Sequence, residues 1–490
     1  MKKRYTLSFL LLSAFAVFGC GKTEYTVPDV TDVQTEAVTV SAVETEEMIR
    51  PAVTEADMGG RTFTIYSEGW SDYDPLAVDD IFVEEENGEP LNDAVYARNL
   101  AVDSNLNCKV VHASFPDRSD ANKTLIRSVM ADDKSYDICL FRAENILSLI
   151  TGGCLNDLSL FPIDFSQPWW SDSSRSELSV GGISYAITSD MTMNDEKAIF
   201  CTYYNKGMIE TFDLEDPNTL VKDGKWIYDT MFDMAKTAAA DLNGNGKADV
   251  EDRYGISHIA DTAFGILASI GISFADKDAD DFPVFVFDTE ENYTKYIHVF
   301  EKLYDKNVCY NWHDRRGTDL ETDLFTTDCA LFCLGGIYYA PSMRSMKTDF
   351  GIIPFPKYDV EQTDYLCSAS PNFLMLCGVP VTNETFEETA VFMDYYAYLG
   401  WKMIRPEFYD VLLGTKIVRD TESVEMLDRI FSSQSIDAGA VFALGGFPYK
   451  VCRETVKYKA DNIASFTEKN MRTIQHDLNR IKEALGKQDN

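Results

Sequence analysis

A twelve-residue stretch, Asp241-Leu-Asn-Gly-Asn-Gly-Lys-Ala-Asp-Val-Glu-Asp252, places oxygen donors at its positions one, three, five, nine and twelve. Hard divalent cations take oxygen ligands, and this spacing with a glycine at position six is the calcium-loop pattern. The expected Ca2+ ligands are the side chains of Asp241, Asn243, Asn245, Asp249 and Asp252 and the backbone carbonyl of Lys247. Gly246 supplies the sharp turn, and the ion's role would be structural. Asp252 in place of a bidentate Glu, and Asn at two early positions, should weaken the affinity.

A second chemical signal lies at the N-terminus. Lys2, Lys3 and Arg4 precede an apolar run from Leu7 to Val17, too short to span a bilayer, and Val17-Phe18-Gly19-Cys20 follows. This has the form of a lipobox, in which the Cys20 thiol takes a diacylglyceryl thioether. The chemistry expected of an enzyme is missing: there is no G-x-S-x-G, no H-E-x-x-H and no phosphate loop, and the five histidines are scattered. Paired carboxylates are too numerous in this chain to single out a glycosidase by counting.

The formal net charge of -36 and pI near 4.4 exclude nucleic acid as a partner, since phosphate neutralisation needs clustered Lys and Arg. They also disfavour a strongly anionic ligand. Ten cysteines remain beyond Cys20, several inside apolar runs and none in a C-x-x-C pair, so they are expected as free, buried thiols rather than zinc ligands.

These groups need elements to position them. Residues 21–57 hold seven Thr, seven Val, six Glu and one aromatic, Tyr25, and cannot bury a core, so they read as a flexible tether. Thr62 to Tyr66 alternates as a strand; Leu91, Val95, Val102 and Leu106 share a helical face; Lys109 to His112 is a second strand. A helix near 119–131 leads to the apolar strand Tyr136 to Phe141. Strand–helix–strand–helix–strand is the unit of a doubly wound parallel sheet, whose ligands sit at the carboxyl ends of strands. Further strands are expected at Gly182–Ile187, Ala198–Tyr203, Cys329–Leu334, Asp349–Ile353 and Ser370–Cys377. A helix over 384–400 carries Thr385 and Glu388 at capping-box spacing. The last helix has the stripe Ile463, Phe466, Met471, Ile474, Leu478, Ile481 and Leu485.

Four stretches, taken in order, resemble the family 1 extracellular solute-binding proteins, the maltose-binding-protein-like group. They are Tyr136-Asp-Ile-Cys-Leu-Phe with Gly153-Cys-Leu-Asn-Asp-Leu158; Gly181-Gly-Ile-Ser-Tyr-Ala-Ile with Tyr203-Tyr-Asn-Lys206; Phe325-Thr-Thr-Asp-Cys-Ala-Leu-Phe with Asp349-Phe-Gly-Ile-Ile-Pro354; and the run from Phe373 into the 384–400 helix. The resemblance runs from about Arg61 to the C-terminus. It implies an α/β chain of two doubly wound lobes joined by a multi-segment hinge, the type II periplasmic-binding-protein-like fold. On that basis residues 1–19 are a signal peptide and 20–57 the acylated cysteine and tether. Residues 58–188 and 359–400 would form the first lobe, and 189–358 and 401–490 the second.

The resemblance further implies a monomeric, lipid-anchored, extracellular capture subunit that is not an enzyme and hands a carbohydrate to an ABC transporter permease. The alternatives are a surface glycan-binding lipoprotein without a transporter and a secreted glycosidase. A sugar is gripped by flat rings and planar polar side chains. The matching positions are Glu68 and Trp70 after the first strand, Arg142 and Glu144 after Phe141, Asp190 and Thr192 at the crossover, Tyr338 after Leu334, and Asn372 near the return crossing. The calcium-loop stretch resembles one half of a dockerin repeat, where Asp is common at position twelve.

Overall fold

The computed structural model describes residues 49–69, 78–115, 118–311, 321–413, 421–454 and 460–486. In chain order its strands are β1 (Arg61–Glu68), β2 (Cys108–Phe115), β3 (Ile138–Arg142), β4 (Phe200–Asn205), β5 (Tyr254–His258), β6 (Ala275–Lys277), β7 (Pro283–Phe285), β8 (Cys309–Asn311), β9 (Ala330–Gly336), β10 (Phe350–Ile353) and β11 (Met375–Gly378). One sheet has the order β11-β3-β1-β2, the second β10-β4-β9-β5-β8, and β6 with β7 forms a separate two-stranded pair.

In the first sheet β1 runs parallel to both β2 and β3, while β11 lies antiparallel against β3. In the second, β5 is parallel to β8 and β9, and β4 lies antiparallel to β9. Each sheet thus accepts one reversed strand delivered by a crossing from the other half. This is the expected α/β architecture of two doubly wound lobes joined by several crossings.

The packing follows the sequence pattern. Phe63 and Ile65 face the helix Phe386–Leu399, with the Phe63 and Phe392 rings stacked at 4.1 Å. The opposite face of β1 and β3, with Tyr66 and Phe141, joins an apolar cluster that runs on through Phe200, Ile256 and Phe332 to Ile474, Leu478 and Ile481 of the last helix. That helix, Ile463–Gly486, carries the stripe read in the sequence. One continuous apolar body therefore spans both sheets on that side.

A longer helical rod does the same on the other side. Phe386–Leu399 continues through a π-helical turn, Gly400–Ile404, into Arg405–Leu413. It begins in the cluster around Phe392 and Tyr396 and ends in a second one holding Ile404, Phe408 and Leu412. A side chain at Gly400 would run into the carbonyl of Asp190, so the rod and the crossover touch through a bare backbone.

Several expectations need correction. Gly182–Ile187 is no strand; it makes only single bridges, Val180 with Ile183 and Ile187 with Cys377. Ser370–Leu374 is a turn, with Phe373 and Leu374 donating to the Ser370 carbonyl, so the strand there starts at Met375. Thr385 occupies the helix start but makes no cap: its hydroxyl donates to Asn383 Oδ1 at 3.0 Å, and Glu388 pairs with Arg61 instead. The chain is already laid on the folded body at Ala56, whose amide donates to the Asn105 carbonyl at 2.9 Å.

Candidate functional site

The carboxyl ends of β1 and β3 bring Glu68 and Arg142 together. Both side chains are 0% exposed, with Arg142 Nε 3.5 Å from Glu68 Oε2. The same carboxylate accepts from the Arg142 amide at 3.1 Å and from Asn145 Nδ2 at 2.7 Å. Burial pushes the Glu68 carboxyl up, against the pull of those donors and the guanidinium. In this conformation the pair faces inward and holds the turn that follows β3. Glu144, in that turn, is half-buried, and its amide donates to the Pro371 carbonyl at 3.2 Å. Trp70 lies outside the described residues.

The second sheet contributes from β5 and β9. Asp261, just beyond β5, accepts from Asn372 Nδ2 at 2.8 Å and from the Ser370 hydroxyl at 3.3 Å, so the return crossing is pinned to the second sheet. Tyr338 follows β9 in a 3-10 segment, with its ring 5.8 Å from Phe373 and 4.5 Å from Tyr339 in edge-on contacts. Gly335 and Gly336 are required here, because a Cβ on either would enter the Tyr339 or Tyr338 ring.

Between the sheets runs the crossover 189–196. Thr192 donates its hydroxyl to Asp80 Oδ1 at 2.8 Å, and Asp80 also accepts from the Met193 amide. Asp80 is steadied from behind by Arg98, which is fully buried over the Tyr396 ring at 3.9 Å and donates to the carbonyls of Asp80, Ile81 and Met191. Asp190 meets Arg405 Nη1 at 3.3 Å, and Glu196 lies 3.8 Å from the same guanidinium. Burial, reinforced by the Glu196 charge, holds the Asp190 and Asp195 carboxyls well above the usual carboxylate range.

No protein-family model matches the chain, and a comparison with curated proteins finds no match. Solved structures do match. The galacto-N-biose-/lacto-N-biose I-binding protein of the ABC transporter from Bifidobacterium longum, in complex with lacto-N-biose, superposes with a TM-score of 0.56 at 14% identity, over 86% of this chain and 98% of that one. A Rhizobium etli sugar transporter in an open conformation gives 0.56 at 15%, over 87% and 99%. An ABC substrate-binding protein from Listeria monocytogenes in complex with cycloalternan gives 0.51 at 15%, over 87% and 99%. The fold is that of the maltose-binding-protein-like substrate-binding proteins.

In open α/β sheets ligands bind beyond the carboxyl ends of the strands, which here are the ends of β1, β3, β5 and β9. Of the residues expected from sequence, Asp190 and Thr192 share the first crossover, Asn372 lies on the return and Tyr338 packs against it. Glu68 and Arg142 pair with each other at the ends of β1 and β3. Asp80, Asp195, Glu196, Asp261 and Arg405 escaped the sequence reading. Only Asp195 and Glu196 had a local signal, the polar run Asn194-Asp-Glu-Lys197 set between apolar neighbours, all four of them buried.

The Asp241–Asp252 stretch is closed by a bridge between Ala240 and Arg253. Asp241 accepts from the amides of Gly244 and Gly246 at 2.7 and 2.9 Å, Asn243 Oδ1 from Asn245, and Asn245 Oδ1 from Lys247. Gly244 and Gly246 have φ of +68° and +69°. Asp252 ties the ends through the amides of Leu242 and Asp249. The amide groups of Asn243 and Asn245 reach Asp249, and that of Asn243 also reaches Glu251. Among the described residues no three acidic, His or Cys side chains gather as a ready-made metal cluster. All ten cysteines beyond Cys20 are free, nine of them buried, and no described helix is long and apolar enough to cross a membrane.

Proposed function

We propose that this protein captures a carbohydrate between its two lobes and delivers it to the permease of an ABC transporter, and that it is not an enzyme. The observation that carries the reading is the pair of doubly wound sheets exchanging reversed strands, with polar side chains and rings gathered on the crossings between them. Structural neighbours from three genera, whose subjects are sugar-binding or sugar-transport proteins, support the ligand class. Asp190, Thr192, Tyr338, Asn372, Glu144 and Trp70 would touch the sugar, with Glu68 and Arg142 holding the turns beneath. A panel of glycans tested by thermal shift decides it, because a ligand that binds only the folded state raises the apparent melting temperature. No rise with any glycan would sink the reading, and hydrolysis products tracking the purified protein would turn it toward a glycosidase.

The rest of the assignment rests on sequence. Cys20 would anchor a monomer to the outer face of the membrane through residues 20–57; Cys20→Ser should then leave the membrane fraction, and a variant that still pellets after a carbonate wash would refute the anchor. The Asp241–Asp252 loop would hold Ca2+ through Asp241, Asn243, Asn245, Asp249, Asp252 and the Lys247 carbonyl. Its side-chain oxygens are already oriented by successive loop amides. Chelation should lower the melting temperature of the wild type and leave Asp241→Ala unmoved; an equal drop in both would place any ion elsewhere.

A further inference from the structure

The first crossover, the return crossing and the helical rod lie together. Gly400 of the rod meets the Asp190 carbonyl through bare backbone, and Asn194 Oδ1 accepts from the Met375 amide at 2.7 Å. A second junction between the two halves is made by turns and side chains. On one side of it stands the turn 176–182, which is built on the first sheet. Ile187 bridges Cys377 of β11, and the Ser184 carbonyl accepts from the Leu158 amide at 2.7 Å. On the other side stand the β6–β7 hairpin and the last helix, which are built on the second sheet. The hairpin lies in the chain between β5 and β8, and the Phe274 amide before it donates to Asp437 Oδ2 at 2.7 Å. The last helix stacks Phe466 on Phe447 at 5.8 Å, and Tyr449 in the same short helix as Phe447 packs 5.3 Å from Phe264, just past β5.

Lys277 of β6 reaches across this junction. Its Nζ lies 2.6 Å from the carbonyls of Ser176 and Ser179, and 2.7 Å from the Ser179 hydroxyl and from Asp281 Oδ1. Those carbonyls close the helix Asp172–Leu178, an end that favours a cation. Asp281 grips the same turn. Its carbonyl accepts from the Gly181 amide at 3.0 Å and its Oδ2 from the Gly182 amide at 2.8 Å. Gly181 sits so close to Phe282 and Leu485 that an added Cβ would come within 3.2 and 3.3 Å of them. One turn back along the last helix, Arg480 Nη2 donates to Thr151 Oγ1 at 3.1 Å, at the end of the helix that follows β3. Lys482 pairs with Asp278 at 3.7 Å and ties that helix to the hairpin.

Two bodies joined covalently at one place separate by turning about it, and a non-covalent junction away from it must then part. Water can replace hydrogen bonds like these at small net cost, so the junction can open without unfolding either half. We propose that Lys277, Asp281 and the end of the last helix form a clasp that holds the two lobes together before ligand arrives and opens to admit it. The inference goes beyond carbohydrate capture to the equilibrium between lobe arrangements. Its test uses no glycan, so its failure leaves the capture reading standing.

The test is hydrogen exchange and small-angle X-ray scattering on the unliganded full chain. Lys277→Met should speed exchange of the Gly181 and Gly182 amides on the order of tenfold and raise the radius of gyration, with a melting profile that stays cooperative. Arg480→Met, which removes the contact with Thr151, should move both readings the same way by less, and carries the test if Lys277→Met does not fold. Faster exchange at an unchanged radius would reduce the junction to a local turn and overturn the clasp. A larger radius with unchanged exchange would put the restraint elsewhere, and no change in either would mean that these contacts hold nothing. Both results overturn it.

Discussion

At the end of the first sheet Glu68 and Arg142 stand one against one, sealed from water; on the crossover Asp190, Asp195 and Glu196 share Arg405. Both groups are ionic and buried, but their supporting bonds differ. The Glu68 carboxylate is also held by a backbone amide and an asparagine, and its role is to fix the turn after β3. On the crossover Asp195 lies against Glu196, and burial together with the Glu196 charge opposes ionisation of Asp195. A balanced buried pair is expensive to break and contributes little beyond position, whereas carboxyls crowded together out of water are a standing cost to ionisation.

The comparison is broken or sharpened first by Arg142→Met. Removing the guanidinium strands a fully buried carboxyl, which normally costs about 3–5 kcal/mol. Because burial already raises the Glu68 pKa, that carboxyl can take up a proton, so the loss should fall at the lower end, about 3 kcal/mol by denaturant unfolding. Adding Glu68→Gln should recover most of it. A single variant as stable as the wild type would show that the pair holds nothing.

Asp195→Asn should act with the opposite sign. It removes a carboxyl whose ionisation burial and Glu196 oppose, and should raise stability by about 1 kcal/mol at neutral pH. A loss of similar size would mean that the crossover is as balanced as the first pair.

The smallest effect is in the pH dependence. A carboxyl whose folded pKa lies above its unfolded value near 3.8 contributes stability that is present at acid pH and is lost as pH rises through the folded value. The gap between Asp195→Asn and the wild type should therefore be narrow near pH ~4 and widen towards pH ~7. A gap independent of pH would remove Asp195 from the crowded carboxyls.

Much of the framework was legible because it is local. The alternation in β1, the helical face with Val95, Val102 and Leu106, and the stripe of the last helix each encode burial over a few residues. What stayed hidden depends on distant partners. Gly182–Ile187 has a strand's composition, but it makes only single bridges, Ile183 with Val180 and Ile187 with Cys377. Thr385 and Glu388 have the spacing of a cap, yet Asn383 and Arg61 compete for them successfully. Arg405 lies 215 residues from Asp190, and no spacing rule links them. The site was accordingly visible as positions on crossings and not as a charge imbalance.

The central claim, capture by closure of two lobes, is tested most directly by small-angle X-ray scattering of the full chain with and without a glycan that raises its melting temperature. A ligand bridging both faces shifts the lobes from open to closed, so the radius of gyration should fall on saturation and recover when the ligand is dialysed away. A tightly bound glycan that leaves the scattering curve unchanged would contradict the account.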